Sequence, residues 1–217
     1  MGFEFDHETH IGRMNGEIWP SVTQLLQESK LIDYSMVPKE VLEKKRILGT
    51  RVHAATILLD DCNFDEDHFN AEFPECIPYL EAYRNFRIIE KFENSNAKCG
   101  RLVSLKLKFH GEPDEHGIRL AWRGQEAYLI DYKCTFKMFA STGAQLSAYK
   151  ILLAERLKIN VKTRLGLLFK PNGKFDLVPF KDPNDKQDFL ACLHLHWARR
   201  NKYQTSKGVF SNDQQHT

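Results

Sequence analysis

No run of apolar residues in this 217-residue chain approaches the roughly 20 needed to cross a bilayer, so no membrane span is expected. The first residues, Met1-Gly2-Phe3-Glu4-Phe5-Asp6, put no basic segment ahead of an apolar one, so no signal peptide is expected either. Cysteine is sparse. The five present (Cys62, Cys76, Cys99, Cys134, Cys192) are odd in number, scattered, and never in C-x-x-C spacing. That set argues against a disulfide framework or a structural zinc and for a reduced, cytoplasmic chain. Nothing repeats internally, and no linker divides the sequence. One domain over residues 1–217 is expected, long enough to bury a real core.

A near-neutral net charge of +2 conceals an asymmetry. Residues 1–97 hold 10 basic and 18 acidic side chains, a balance of −8, whereas residues 98–217 hold 21 and 11, a balance of +10. A polyanion would be drawn to the second part by long-range attraction and counterion release. The same lysines also read as ordinary solvated side chains on separate surfaces.

Local signals outline an α/β chain. Residues 1–17 read as a loose lead-in or a small hairpin, and Ser21 is placed to cap a short helix ending near 28. A second helix is expected from 39 to about 59, an acidic surface loop over 60–66, and a third helix over 77–92. Two strand-like runs come next, 102–109 and 127–133, then a helix over about 142–157. Runs at 165–170 and 175–180 flank Asn172-Gly173 as a hairpin, a last helix runs from 185 to about 203, and 204–217 reads as a disordered tail. Helices on either side of a small central sheet make an α/β sandwich.

Two short segments carry the chemistry. Gly111-Glu112-Pro113-Asp114 comes after the first strand-like run, and Ile130-Asp131-Tyr132-Lys133 closes the second. Turn signals between them, His116-Gly117 and Arg123-Gly124, fold a hairpin that brings Asp114 alongside Asp131. Asp131 and Lys133 stand two apart in a strand and so share a face. An acid and a lysine among apolar neighbours are costly unless paired. Two close carboxylates repel, and a divalent cation is the common remedy. Mg²⁺ or Mn²⁺ suits the oxygens of Asp114, Asp131 and the Tyr132 carbonyl. Taken alone, Asp114 reads equally as a turn carboxylate, Asp131 as half of an ion pair with Lys133, and Lys133 as a snorkelling edge lysine.

GxPD, a hairpin and then IDYK resembles the PD-(D/E)xK nuclease superfamily, in its RecB-like exonuclease branch, which includes phage-type exonucleases. Three further pieces match in the family's order: Pro20-Ser21-Val22-Thr23, Gly49-Thr50-Arg51-Val52-His53, and Gln145-Leu146-Ser147-Ala148-Tyr149. The resemblance runs from about residue 18 to about 180. It implies a restriction-endonuclease-like core, a central mixed β-sheet flanked by α-helices. It also implies a metal-dependent deoxyribonuclease that hydrolyses phosphodiester bonds from DNA ends, in recombination or repair. Relatives are often encoded by bacteriophages, which would place the protein in the bacterial host cytoplasm.

Residue by residue, the resemblance makes His53 a metal ligand with Asp114, Asp131 and the Tyr132 carbonyl, where the sequence alone reads a core histidine. Lys133 would orient the nucleophilic water or stabilise the transition state. Gln145 and Tyr149, four apart on a helix face, would line the site. Arg101, Lys106, Lys108 and Lys137, with Arg164, Lys170 and the aromatics Trp122, Phe136 and Phe139, are candidates for a groove that pairs phosphates and stacks single-stranded bases. DNA, as single strands or duplex ends, is the expected partner, with a recombination or replication protein as a possible second. Relatives that hold an iron–sulfur cluster use one early and three late cysteines; no cysteine comes after Cys192 here, so no cluster is expected. One departure stands out. Relatives carry a glutamate some 10–15 residues before the GxPD aspartate, but 99–110 holds no acid, and Glu90, Glu93 or Glu112 would have to serve. That departure keeps open a catalytically weak or inactive DNA-binding module, beside a restriction-type endonuclease.

Overall fold

The computed structural model describes residues 2–91, 100–114, 118–120 and 127–209, with the backbone alone over 118–120 and 203–209. Phe3–Asp6 (β1), Ile11–Met14 (β2) and Glu17–Trp19 (β3) form an antiparallel meander. Asn15 and Gly16 make its second turn with φ of 50° and 83°, the positive values that a two-residue hairpin turn of the primed type needs. Of the two expectations for residues 1–17, a loose lead-in or a small hairpin, the hairpin holds, and a third strand extends it. It is also docked, because the rings of Phe3 and Phe5 lie 5.1 and 5.6 Å from the buried imidazole of His110.

Ser21 caps Val22–Glu28 (α1) in a capping box: its hydroxyl accepts from the Gln24 N–H at 3.2 Å, and the Gln24 side chain accepts from the Ser21 N–H at 2.8 Å. Lys39–Asp60 (α2) is next along the chain. Asp60 does not begin a surface loop. Its buried carboxylate accepts from the Tyr83 hydroxyl at 2.6 Å and pairs with Arg87. Asp65 then caps Glu66–Glu72 (α3), a helix that the acidic composition concealed, and a 3₁₀ turn leads into Ile77–Ile89 (α4).

The run 102–109 is likewise not one strand. Leu102–Ser104 (β4) and Phe109–Gly111 (β5) fold into a tight hairpin, with Lys108 at φ 55°. Glu155 holds the turn, accepting from the Ser104 hydroxyl at 2.6 Å and the Leu105 N–H at 2.9 Å. The alternating pattern looks like a strand, but a carboxylate fifty residues away bends it.

Ile118–Leu120 (β6), Ala127–Lys133 (β7), Val161–Phe169 (β8) and Phe175–Pro179 (β9) make the central sheet in that spatial order. β7 and β8 run parallel, with Ser141–Arg156 (α5) as the crossover, and the outer pairs are antiparallel. Asp185–Val209 (α6) ends the described chain, running past the expected stop near 203; residues 210–217 lie outside the described residues. The turn signals at His116-Gly117 and Arg123-Gly124 also lie outside them, and the strand paired with β7 on that side is β6, not the run 102–109 that the expected hairpin would have put there.

The sheet is mixed and has helices on both faces. Side chains alternate along β7, so Leu129 packs with α1, α5 and α6, whereas Ile130 and Tyr132 pack with α2 and α4. Asp131 and Lys133 therefore face the α5 side. Among the described residues, no helix is long and apolar enough to cross a membrane.

Candidate active site

Among the described residues, β6 pairs with β7 from Ile118 opposite Leu129 to Leu120 opposite Ala127. Further along β7, beside the pairing with β8, the backbone of Tyr132 meets two side chains. Its N–H donates to Asp114 Oδ2 at 2.6 Å, and His53 Nε2 lies 3.0 Å from its carbonyl oxygen. The other imidazole nitrogen, Nδ1, stands 3.2 Å from Asp114 Oδ1. His53 comes from α2 and Asp114 from the chain after β5, so the backbone of one residue on β7 gathers three segments.

The second half of the cluster lies on the α5 face. Asp131 is 3% exposed, and its Oδ2 makes an ion-pair contact with Lys133 Nζ at 2.5 Å. Lys133 also donates to Gln145 Oε1 at 3.1 Å, and the Gln145 amide donates to the Tyr149 hydroxyl at 3.1 Å. All seven residues expected at the site are thus linked by direct contacts or through the Tyr132 backbone. The glycine of the GxPD segment has a steric reason. A Cβ on Gly111 would meet Val22 Cγ2 at 2.8 Å and Tyr149 Cε1 at 2.9 Å, so only glycine lets β5 pass so close to α1 and α5.

Charge organises the cluster. Burial opposes ionisation of His53, but the Asp114 carboxylate outweighs it and holds the imidazole pKa above its ordinary value. Burial likewise opposes the Asp114 charge, yet His53, Lys133 and the Tyr132 N–H together keep its carboxyl below the usual range. Asp131 goes the other way: burial, reinforced by Asp114, raises it against the pull of Lys133. Lys133 itself is raised, because the two carboxylates overcome its desolvation. Of the two carboxylates, Asp131 is the one that protonates more readily.

Among the described residues, no three His, Cys, Asp or Glu side chains stand together as a preformed metal cage. The donors present are nonetheless of the right chemistry for a hard divalent ion. The buried Oδ2 of Asp131 has the Lys133 ammonium as its close neighbour and no other polar partner among the described residues.

A cleft of about 330 Å³ adjoins Tyr149, lined by Phe5, Ser21, Thr23, Gln24, Arg101 and Glu112 among others. Arg101 lies 3.5 Å over the Phe5 ring, pairs with Glu112 at 2.6 Å, and has NH1 3.2 Å from His110 Nδ1. Burial and Arg101 push His110 down to about 4, so it stays neutral and accepts from the guanidinium. Sequence reasoning missed this cleft, because the contacts that build it join the N-terminal meander to β5 and leave no local pattern.

The other basic candidates do not gather at the cluster. Lys106 and Lys108 sit at the β4–β5 turn with Glu155, which is about 15 Å along α5 from Gln145 at 1.5 Å per residue. Lys108 pairs there with Glu17 at 3.3 Å. Arg164 is held inside the fold by Ser147, the Gly143 carbonyl at 3.0 Å and Asp185 at 2.9 Å, and Lys170 pairs with Asp176 at 2.6 Å. Neither of those two is a free groove cation. Lys137 comes soon after β7, near the cluster in sequence. Glu93, Cys99 and Trp122 lie outside the described residues. Of the acids proposed to replace the missing glutamate, Glu112 reaches the cleft beside Tyr149.

No protein-family model matches the chain, and no curated protein matches it. Among solved structures it is similar to a "Putative exonuclease" from Eubacterium rectale, with a TM-score of 0.47 and 10% identity, over 70% of this chain and 65% of that one. The chain thus spans less than two thirds of that protein's length. A likeness so distant carries no functional weight.

Proposed function

We propose that the protein is a metal-dependent deoxyribonuclease of the PD-(D/E)xK type, acting as an exonuclease on DNA ends. One observation carries this reading: Asp114 on one segment and Asp131 and Lys133 on another meet His53, Gln145 and Tyr149 around the end of β7. Asp114, Asp131, His53 and the Tyr132 carbonyl would hold Mg²⁺ or Mn²⁺, and the nitrogen donor favours Mn²⁺ in affinity. Bound there, the ion would supply Lewis acidity and a water of lowered pKa. Lys133, kept protonated by its two carboxylate neighbours, brings a fixed positive charge to the negative charge that develops on phosphorus. Gln145 fixes the ammonium in position, and Tyr149 fixes Gln145. Recombination or repair, with a phage origin, is the setting that fits such an activity.

End-labelled single- and double-stranded DNA incubated with Mn²⁺ should lose label. Asp131→Ala and Lys133→Ala should each slow the loss by on the order of 10²-fold or more. Full activity in either variant refutes the assigned roles. Closed circular DNA should survive, and its cleavage would replace the exonuclease reading with a restriction-type endonuclease.

A second reading has its own observation. No acid stands in 100–110, and the acidic groups of the site are each engaged by a cation. An inactive DNA-binding module would bind DNA in a salt-dependent way and cleave it under no divalent ion.

A further inference from the structure

The loop between β7 and α5 begins one residue after Lys133, and burial does not explain its composition. Phe136 is 82% exposed and Phe139 39%. Their rings stand 5.7 Å apart at 89°, and the Lys137 ammonium lies 5.5 and 5.2 Å from the two centroids. Two aromatic rings in solvent forgo the burial that Phe109 and Phe169 obtain in the core. Exposed rings of this kind on a slack loop would mean little.

This loop is fastened. The Thr135 hydroxyl donates to the Lys137 carbonyl at 2.7 Å, and the Phe139 carbonyl accepts from the Thr142 N–H at 3.0 Å, where α5 begins. Met138, between the two outward rings, turns inward onto Gly166, where an added Cβ would meet its Cε at 2.5 Å and its Sδ at 2.7 Å. Gly166 is the register partner of Asp131 on the neighbouring strand. The methionine therefore pins the loop beside the buried carboxylate, and the missing Cβ of Gly166 is the socket. At most about 11 Å of extended chain separates Phe136 from Lys133.

We propose that Phe136 and Phe139 form a stacking platform for an unpaired base of the strand whose phosphate lies at Asp114, Asp131 and Lys133. Lys137 pairs with the adjoining backbone, so the strand is presented to the site single-stranded. The proposal rests on the nuclease reading for where the phosphate lies. An exposed ring face receives any base alike, which makes the contact independent of sequence. A base inside a duplex already has both faces stacked on its neighbours. A single strand or a frayed end offers free faces along its length, whereas a duplex offers one only at its terminal pair.

Binding of the full chain to a fluorescent oligothymidine, and to an abasic strand of equal length, separates stacking from phosphate attraction. Both are measured by anisotropy in metal-free buffer. The native chain should prefer the base-bearing strand. Changing both Phe136→Ala and Phe139→Ala should weaken oligothymidine binding by about tenfold or more and abasic binding by less than about twofold. Phe136→Tyr should keep the native preference. The idea is overturned by a native chain without that preference, by equal losses on both strands, or by a double variant that binds like the native chain. The last result would assign the rings to a protein contact. Hydrolysis with Mn²⁺, scored on the same proteins, keeps the two readings apart. Stacking without hydrolysis refutes the nuclease and leaves the platform, whereas hydrolysis without stacking refutes the platform alone.

Discussion

Tyr132 contributes its backbone to the site while its ring is buried in the core on the other face of the sheet. That division comes from the two-residue period of a strand, which sends Asp131 and Lys133 to one face and Tyr132 to the other. The Tyr132 N–H and carbonyl stay in the sheet plane, open to Asp114 and His53. Without metal, the His53–Asp114 contact is an ion pair with a definite pH signature. His53 has a folded pKa above its ordinary 6.5, so its contribution to stability is full below 6.5 and fades as pH rises through the folded value. Asp114 has a folded pKa below its ordinary 3.8, so its contribution is full above 3.8 and fades as pH falls through the folded value. The pair should therefore stabilise most between 3.8 and 6.5. In thermal melts of the metal-free protein, His53→Ala should lower Tm most near the middle of that window and progressively less above neutrality. A deficit that grows as pH rises would show that the imidazole is neutral in the fold.

Elements whose cause is local were legible in the sequence, and those set by distant residues were not. α1 announces itself through Ser21 and Gln24, three residues apart, and α2 through the proline before it. β7 was readable from its apolar run and the two charges two apart. α5 was readable too, because Gln145 and Tyr149 repeat at a helical interval. By contrast, the β4–β5 turn depends on Glu155, and the burial of Asp60 depends on Tyr83 and Arg87. Neither partner is near in sequence, so an alternating run passed for a strand and a buried acid for a loop. For the N-terminal segment the sequence left a loose lead-in and a small hairpin both open, and the docking onto His110 that holds the meander in place is again a distant contact. Gly111 shows what a motif position means once packing is visible. Gly111→Ala would drive a methyl into Val22 and Tyr149, costing about 1–3 kcal/mol as overpacking does. Urea denaturation should read that loss, and activity should fall with it, because the displaced Tyr149 holds Gln145. An unchanged denaturation midpoint would mean that the contact relaxes freely.

On the scale of the whole molecule, charge was the least legible property. The balance of +10 over residues 98–217 suggested a basic face for a polyanion. In the fold, Arg101, Lys108, Arg164 and Lys170 each have a carboxylate partner, so much of that charge is neutralised at short range. Composition counts charges and is blind to pairing. What remains is a site where an ammonium and a histidine are balanced against two carboxylates, with an aromatic loop beside it. The nuclease reading requires those carboxylates to accept a divalent ion. Titrating the chain with Mn²⁺, tracking the paramagnetic signal of the free ion, tests that most directly. The native protein should bind the ion at this site, more weakly as pH falls through the raised pKa of His53, and Asp131→Asn should lose it. A native chain that takes up no Mn²⁺, or an Asp131→Asn variant that binds it as well as the native chain, would contradict that reading.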